Sequence, residues 1–222
     1  MADFAKARRT MVDRQVRTAD VTAPRVLAAM AEVPRELFVP RAKRSLAYSD
    51  ADIEIAAPSA GGAARYLIEP AILARLVQLA AIGEGDIVLD IGCGTGYGAA
   101  VLARLAGAVV ALEPDADLAA AATETLIDLG VDNAAVVTAA VDEGYPSAGP
   151  YDVILLEGSV ESVPPALFDQ LKAGGRLVAV IGPGPAGMAT LYRKNGDVAG
   201  RPAFNAPIPP LPCPPPAPTF VF

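Results

Sequence analysis

The sequence predicts an α/β fold with a mostly parallel central sheet, helices on both faces and a C-terminal β-hairpin. Three observations carry this. From Asp86 onward, apolar runs of strand length alternate with helix-length segments, the pattern of repeated βαβ units. The first run, Val88-Leu89-Asp90-Ile91, passes into a glycine loop, Gly92-Cys93-Gly94-Thr95-Gly96, that opens a helix. A second run, Ala108 to Leu112, closes on Glu113, about 20 residues after the first glycine, where a doubly wound fold grips a ribose.

Taken in order, residues 4–18 set Phe4, Ala7, Met11, Val12 and Val16 among charges, an amphipathic helix. A second helix starts near Thr22, with Thr22 as cap and Pro24 in the first turn. Pro34 and Pro40 bracket a short turn. Residues 47–64, with Pro58, Gly61 and Gly62, read as an irregular loop lying over the ligand pocket, before a helix over 69–81. Then follow strand 86–91, helix 96–105, strand 108–113, helix 115–129 and strand 134–138. Strand 151–156, helix 164–171 and strand 176–181 complete the alternation, with Lys172-Ala173-Gly174-Gly175 as a helix stop and turn. Residues 188–194 and 197–204, joined around Asn195-Gly196, form the hairpin. The proline-rich segment 207–218 runs extended across the domain, anchored by Phe220, Val221 and Phe222. The chain divides into a helical cap with a substrate loop (1–68), a Rossmann-like core (69–206) and a tail (207–222), all in one domain.

Composition excludes several kinds of chemistry. The 222 residues suffice for one sizeable core, and 53% are apolar. A net charge of −7 argues against a nucleic-acid partner, which needs a basic surface. The chain has no histidine, which rules out a histidine base or a histidine-ligated metal. Its two cysteines, Cys93 and Cys213, are too few for a zinc site, and no metal is expected. No apolar run reaches the roughly 18 residues of a membrane span. A cytoplasmic protein is expected.

The glycine loop admits two registers. Gly94-Thr95-Gly96-Tyr97-Gly98-Ala99 fits the dinucleotide fingerprint and a nicotinamide-dependent oxidoreductase. Asp90-x-Gly92-x-Gly94-x-Gly96 fits the acid-led loop that holds S-adenosylmethionine. An acid beside the loop would repel a pyrophosphate, whereas it suits a sulfonium and an ammonium group. The second register is therefore preferred, with Asp90, Gly92, Cys93, Gly94, Thr95, Gly96 and Glu113 as cofactor-binding residues.

Longer motifs narrow the reading. Met11-Val12-Asp13-Arg14-Gln15-Val16, Val33-Pro34-Arg35-Glu36-Leu37-Phe38-Val39-Pro40, Tyr151-Asp152-Val153-Ile154 and Val163-Pro164-Pro165-Ala166-Leu167 accompany the glycine loop. With these the sequence resembles the protein-L-isoaspartate O-methyltransferase family, whose fold is that of the class I S-adenosylmethionine-dependent methyltransferases. The resemblance implies methyl transfer from S-adenosylmethionine to the carboxylate of isoaspartyl residues in proteins or peptides, as a step in protein repair. It also implies that Asp90 and the glycines line the methionine part of the cofactor and that Glu113 binds the ribose. A carboxylate acceptor agrees with the missing histidines, since it is ionised at pH 7 without a base.

The sequence departs from the family pattern in three places. The family's G-Q-T-I-S-Q-P loop aligns on Pro70, which sets Arg65-Tyr66-Leu67-Ile68-Glu69 over Q-T-I-S-Q. Arg65, Tyr66 and Ser59 are then the candidate acceptor-side residues, Arg65 either as a fork for a carboxylate or as a solvated side chain. The family's G-D-G after the third core strand becomes Ala139-Ala140-Val141. Losing that acid costs roughly 1.5–3 kcal/mol, with Asp142 or Glu143 as stand-ins. Glu157 falls where the family has small residues. These departures keep open a relative that has lost isoaspartyl activity, acting on another acceptor or binding the cofactor without catalysis.

Overall fold

The computed structural model describes residues 3–58, 63–182 and 184–214. In chain order its elements are α1 (Phe4–Met11), α2 (Pro24–Glu32), β1 (Ile53–Ala56), β2 (Arg65–Leu67), α3 (Pro70–Ala80), β3 (Ile87–Ile91), α4 (Tyr97–Ala103) and β4 (Ala108–Leu112). They continue with α5 (Ala116–Asp128), β5 (Ala134–Val137), β6 (Tyr151–Val160), α6 (Pro165–Asp169), β7 (Leu171–Ile181), β8 (Met188–Asn195) and β9 (Asp197–Asn205).

Seven strands form one sheet in the order β5-β4-β3-β6-β7-β8-β9. The first five pair in parallel and β8 and β9 are antiparallel. Strand order runs outward from β3 in one direction and from β6 in the other, so the switch point lies between them. Sheets of this order bind ligands past the carboxyl ends of these two strands.

Alternation along the strands divides the core. Val88, Val109, Ala111, Val153, Leu155 and Val178 face the side covered by α3, α4, α5 and the N-terminal helices. Leu89, Ile91, Leu112, Ile154, Leu156 and Leu177 face the other side, under Leu167 of α6, Val141 and Leu211. The margin strand β9 is exposed from Asp197 to Ala203, and Pro202 lies opposite Thr190 beside a break in register. Gly196 turns the hairpin with φ +89°.

The element order agrees with expectation, and three details differ. Residues 47–64 are not irregular throughout, because β1 pairs antiparallel with β2 in a separate two-stranded sheet. Thr22 does not cap α2: its first residue is preceded by Ala23, and the carboxamide oxygen of Gln78 accepts from the amides of Thr22 and Ala23 at 2.8 and 2.9 Å. Lys172 to Gly175 belong to β7, and the turn expected there survives as a bulge with Gly174 at φ +79°. The anchoring residues Phe220, Val221 and Phe222 lie outside the described residues. The described residues of the proline-rich segment, 207–214, run along the end of β6, where Leu211 packs against Gly92 and Gly158.

Candidate cofactor site

The site begins at the carboxyl end of β3. The Gly92 and Cys93 amides donate to Leu112 O of β4 at 2.8 and 3.2 Å, and the Gly96 amide closes a turn onto Cys93 O at 2.8 Å. Gly92, Gly94 and Gly96 all have positive φ, at +80°, +56° and +91°. The loop therefore needs glycine for its backbone as well as for close approach. Thr95 donates its hydroxyl to Phe38 O at 2.5 Å, tying the loop to the N-terminal region. The Cys93 thiol is buried, and burial together with the nearby Asp90 and Glu113 charges pushes its pKa up.

Glu113 follows β4 and is fully buried. One carboxylate oxygen accepts from the Gly94 amide at 2.8 Å and the other from the Asp115 amide at 3.1 Å. Arg65 of β2 reaches the same carboxylate as a two-pronged fork, at 2.5 Å to Oε1 and 2.8 Å to Oε2. A further 3.4 Å bond runs from Arg65 to Gly92 O. Both oxygens of Glu113 are thus engaged by the chain itself. Arg65 is only 8% exposed, so it is neither solvated nor presented outward as a free fork, the two alternatives the sequence left open.

Asp90 and Glu157 make a different pairing. Asp90 stands next to the end of β3 and Glu157 in the last third of β6, and both face the side that α4 covers. The Glu157 carboxyl lies against the α-carbon of Gly98, in the first turn of α4, where a Cβ would overlap it. Among the described residues, neither oxygen of Asp90 nor Oε1 of Glu157 has a hydrogen-bond partner. Burial pushes the Asp90 carboxyl up to about 7, with Glu157 pulling it down and the Glu113 charge adding to the rise. Burial also holds Glu157 well above the usual carboxylate range, and the Asp90 charge raises it further. Arg35 offsets part of this negative charge. It is wholly buried, donates to Ala47 O at 2.8 Å and Ile68 O at 2.7 Å, and stacks 4.7 Å over the Tyr97 ring.

The remaining sequence candidates scatter. Tyr66 alternates with Arg65 and Leu67 along β2, so its side chain leaves the hairpin on the opposite face. Ile68 is buried and contributes its carbonyl to Arg35. Ser59 lies outside the described residues. Asp142 stands near Cys213, whose thiol pKa it raises after burial does. Sequence reasoning did not identify Arg35, although its place between two prolines in a buried turn was a signal. Glu157, which by sequence is either a functional acid at a strand end or a loop acid facing water, is buried against Asp90.

The acceptor set fits a cationic nucleoside ligand: among the described residues the buried Asp90 oxygens, Glu157 Oε1 and the Ser159 hydroxyl are left unsatisfied, beside a loop whose three glycines admit close approach. A cavity of about 200 Å³ remains beside it, lined by Arg65, Pro114, Asp115 and Pro212 among others. Sheet order, glycine loop and acidic strand end together define a Rossmann-like methyltransferase fold. The protein-L-isoaspartate(D-aspartate) O-methyltransferase family model matches residues 6–203, and the chain belongs to that family. It is 44% identical over 172 residues to the protein-L-isoaspartate O-methyltransferase of Rhodopseudomonas palustris, covering 78% of this chain and 76% of that protein. The Methanoculleus marisnigri enzyme of the same name is 39% identical over 194 residues, covering 87% of this chain and 86% of that protein.

Among solved structures, a protein-L-isoaspartate O-methyltransferase superposes with TM-score 0.78 at 27% identity, over 91% of this chain and 65% of that one. A Plasmodium falciparum chain assigned to the same enzymes, in complex with S-adenosyl-L-homocysteine, gives 0.76 at 20% identity, over 92% of this chain and 97% of that one. The second likeness is one of fold. No helix among the described residues is long and apolar enough to cross a membrane.

Proposed function

We propose that this chain transfers a methyl group from S-adenosylmethionine to the carboxylate of isoaspartyl residues in proteins or peptides. The observation that carries the cofactor assignment is the Asp90 carboxyl, buried at the switch point of the sheet with no cationic group on it and only the Glu157 carboxyl beside it. A buried carboxylate in that condition is costly unless a cation completes it. When bound, S-adenosylmethionine supplies an electrophilic methyl on a sulfonium centre.

The chain's own residues have separable tasks. Asp90 balances positive charge, and the backbone of Gly92, Cys93, Gly94, Thr95 and Gly96 allows close approach. Glu113 would hold the ribose hydroxyls, and Arg65, which forks onto Glu113, is the cationic group nearest to an acceptor carboxylate in the site. No residue has to remove a proton, because the acceptor carboxylate is ionised at neutral pH. Rate then comes from alignment of two reactants held in the site. Tyr66 and Ser59 remain acceptor-side candidates. Both cysteines are free, which suits a reducing compartment and a cytoplasmic location.

The test is transfer of labelled methyl to an isoaspartyl peptide compared with its normal aspartyl twin. Turnover confined to the isoaspartyl peptide is expected. Equal labelling of both, or labelling of neither by protein that binds the cofactor, rejects the acceptor assignment.

A further inference from the structure

Glu157 is a buried acid to which the methyl-transfer scheme gives no task. It falls where the family has small residues, and Gly98 makes the room it needs, since a Cβ there would overlap the Glu157 carboxyl. The first turn of α4 is thus matched to this one side chain.

Two carboxyl groups buried together do not both ionise without a counter-charge. Asp90 is wholly buried and Glu157 is 6% exposed, and each lies within hydrogen-bonding reach of the other. Among the described residues neither enters a salt bridge, and neither oxygen of Asp90 has a donor. One proton held between the two carboxyls removes the repulsion and gives Asp90 the donor it lacks.

The groups that act on the pair from the surrounding elements do not replace that proton. Arg35 donates to Ala47 O and Ile68 O and stacks on the Tyr97 ring. Arg65 is committed to Glu113, whose charge adds to the repulsion. Tyr97 of α4 and Cys93 of the loop are buried, and burial pushes both pKa values up, so they stay neutral.

We propose that Asp90 and Glu157 share a proton in the free protein and surrender it when a cationic cofactor enters, which makes Glu157 a cofactor-binding residue and couples binding to proton release. The inference rests on the cofactor reading above. The ligand brings positive charge to the pair, both carboxyls are then ionised, and the proton passes to solvent by way of Glu157, the less buried of the two. A neutral nucleoside gains nothing from this exchange, so the pair favours a charged methyl donor. Release of one proton per ligand makes affinity rise about tenfold for each unit of pH over which the pair holds its proton.

The experiment is calorimetric titration of the full chain and of Glu157→Gln with S-adenosylmethionine, without a methyl acceptor. It is run at about pH 6.5, where the amine of the ligand is still protonated. Phosphate and Bis-Tris, which differ in heat of ionisation, convert the binding heats into a count of protons. Glutamine keeps the shape of the side chain and offers Asp90 an N–H that it does not lose. Thermal melting checks that both proteins are folded. The expected result is release of about one proton per ligand by the parent and about none by Glu157→Gln, with a roughly tenfold gain in parent affinity per pH unit that the variant lacks. Binding by the parent without proton release would overturn the shared proton and leave the cofactor reading standing, and this outcome needs no variant. Equal release by parent and Glu157→Gln would overturn Glu157 as its holder. No binding of S-adenosylmethionine by the folded parent would remove the cofactor reading, and the coupling with it.

Discussion

Asp90 and Glu157 are two carboxyl groups buried against each other under the first turn of α4, and their protonation sets a testable pH response. A carboxyl with a native pKa above its unfolded value binds more protons when folded. Its contribution to stability is therefore greatest at low pH and declines as pH rises through the window between the two values. For Asp90 the window runs from the ordinary 3.8 up to about 7, and the shift of Glu157 has the same sign. Among the described residues, Arg35, Tyr97, Cys93 and Glu113 are charged or titratable groups that act on the pair. Urea denaturation should show a steeper loss of stability between pH 4 and pH 7 in the parent than in Glu157→Gln. Parallel profiles would mean that the pair does not titrate as described. Glu113 offers a second test. Glu113→Ala leaves Arg65 buried without its carboxylate and removes the acceptor of the Gly94 and Asp115 amides. A loss of about 3–5 kcal/mol is expected in denaturant titration. Asp90 and Glu113 were legible in the sequence because strand ends and loop spacing mark them. The Arg65–Glu113 pair was not, since tertiary packing joins residues 48 positions apart.

Short elements show where sequence patterns lose force. β1 and β2 hold four and three residues, too few for alternation to stand out from a loop. Their pairing follows from burial of Ile53, Ile55 and Leu67 against the rest of the core. Ile55 also reaches over Gly94, so the segment expected to cover the pocket does cover the glycine loop, as a hairpin. The start of α2 gives a similar lesson. Thr22 has the right chemistry for a cap, but Gln78 of α3 supplies the acceptor from 56 residues away. Gln78→Ala should cost about 1–2 kcal/mol through the two lost amide bonds, read as a lowered melting temperature. Thr22→Ala should change stability by less than about 0.5 kcal/mol. The reverse ranking would restore the local cap. The long elements agree with their patterns because repeated βαβ units leave few alternatives.

At the scale of the whole molecule, the alternation from Asp86 onward specified a parallel sheet, and the spacing of the glycine loop located its switch point. The route of the C-terminal segment was less legible. Its prolines predicted an extended course, but composition says nothing about which groove receives it. Leu211 lodges there because Gly92 and Gly158 leave the space.

The free margin of the sheet has a consequence of its own. β9 is exposed from Asp197 to Ala203, yet Pro202 brings no N–H to its position and adjoins a break in register. Asp197 and Arg201 add charge along the same border. Such a border is a poor template for another strand, so stacking of copies edge to edge into fibrils is disfavoured even though the backbone there is open to water.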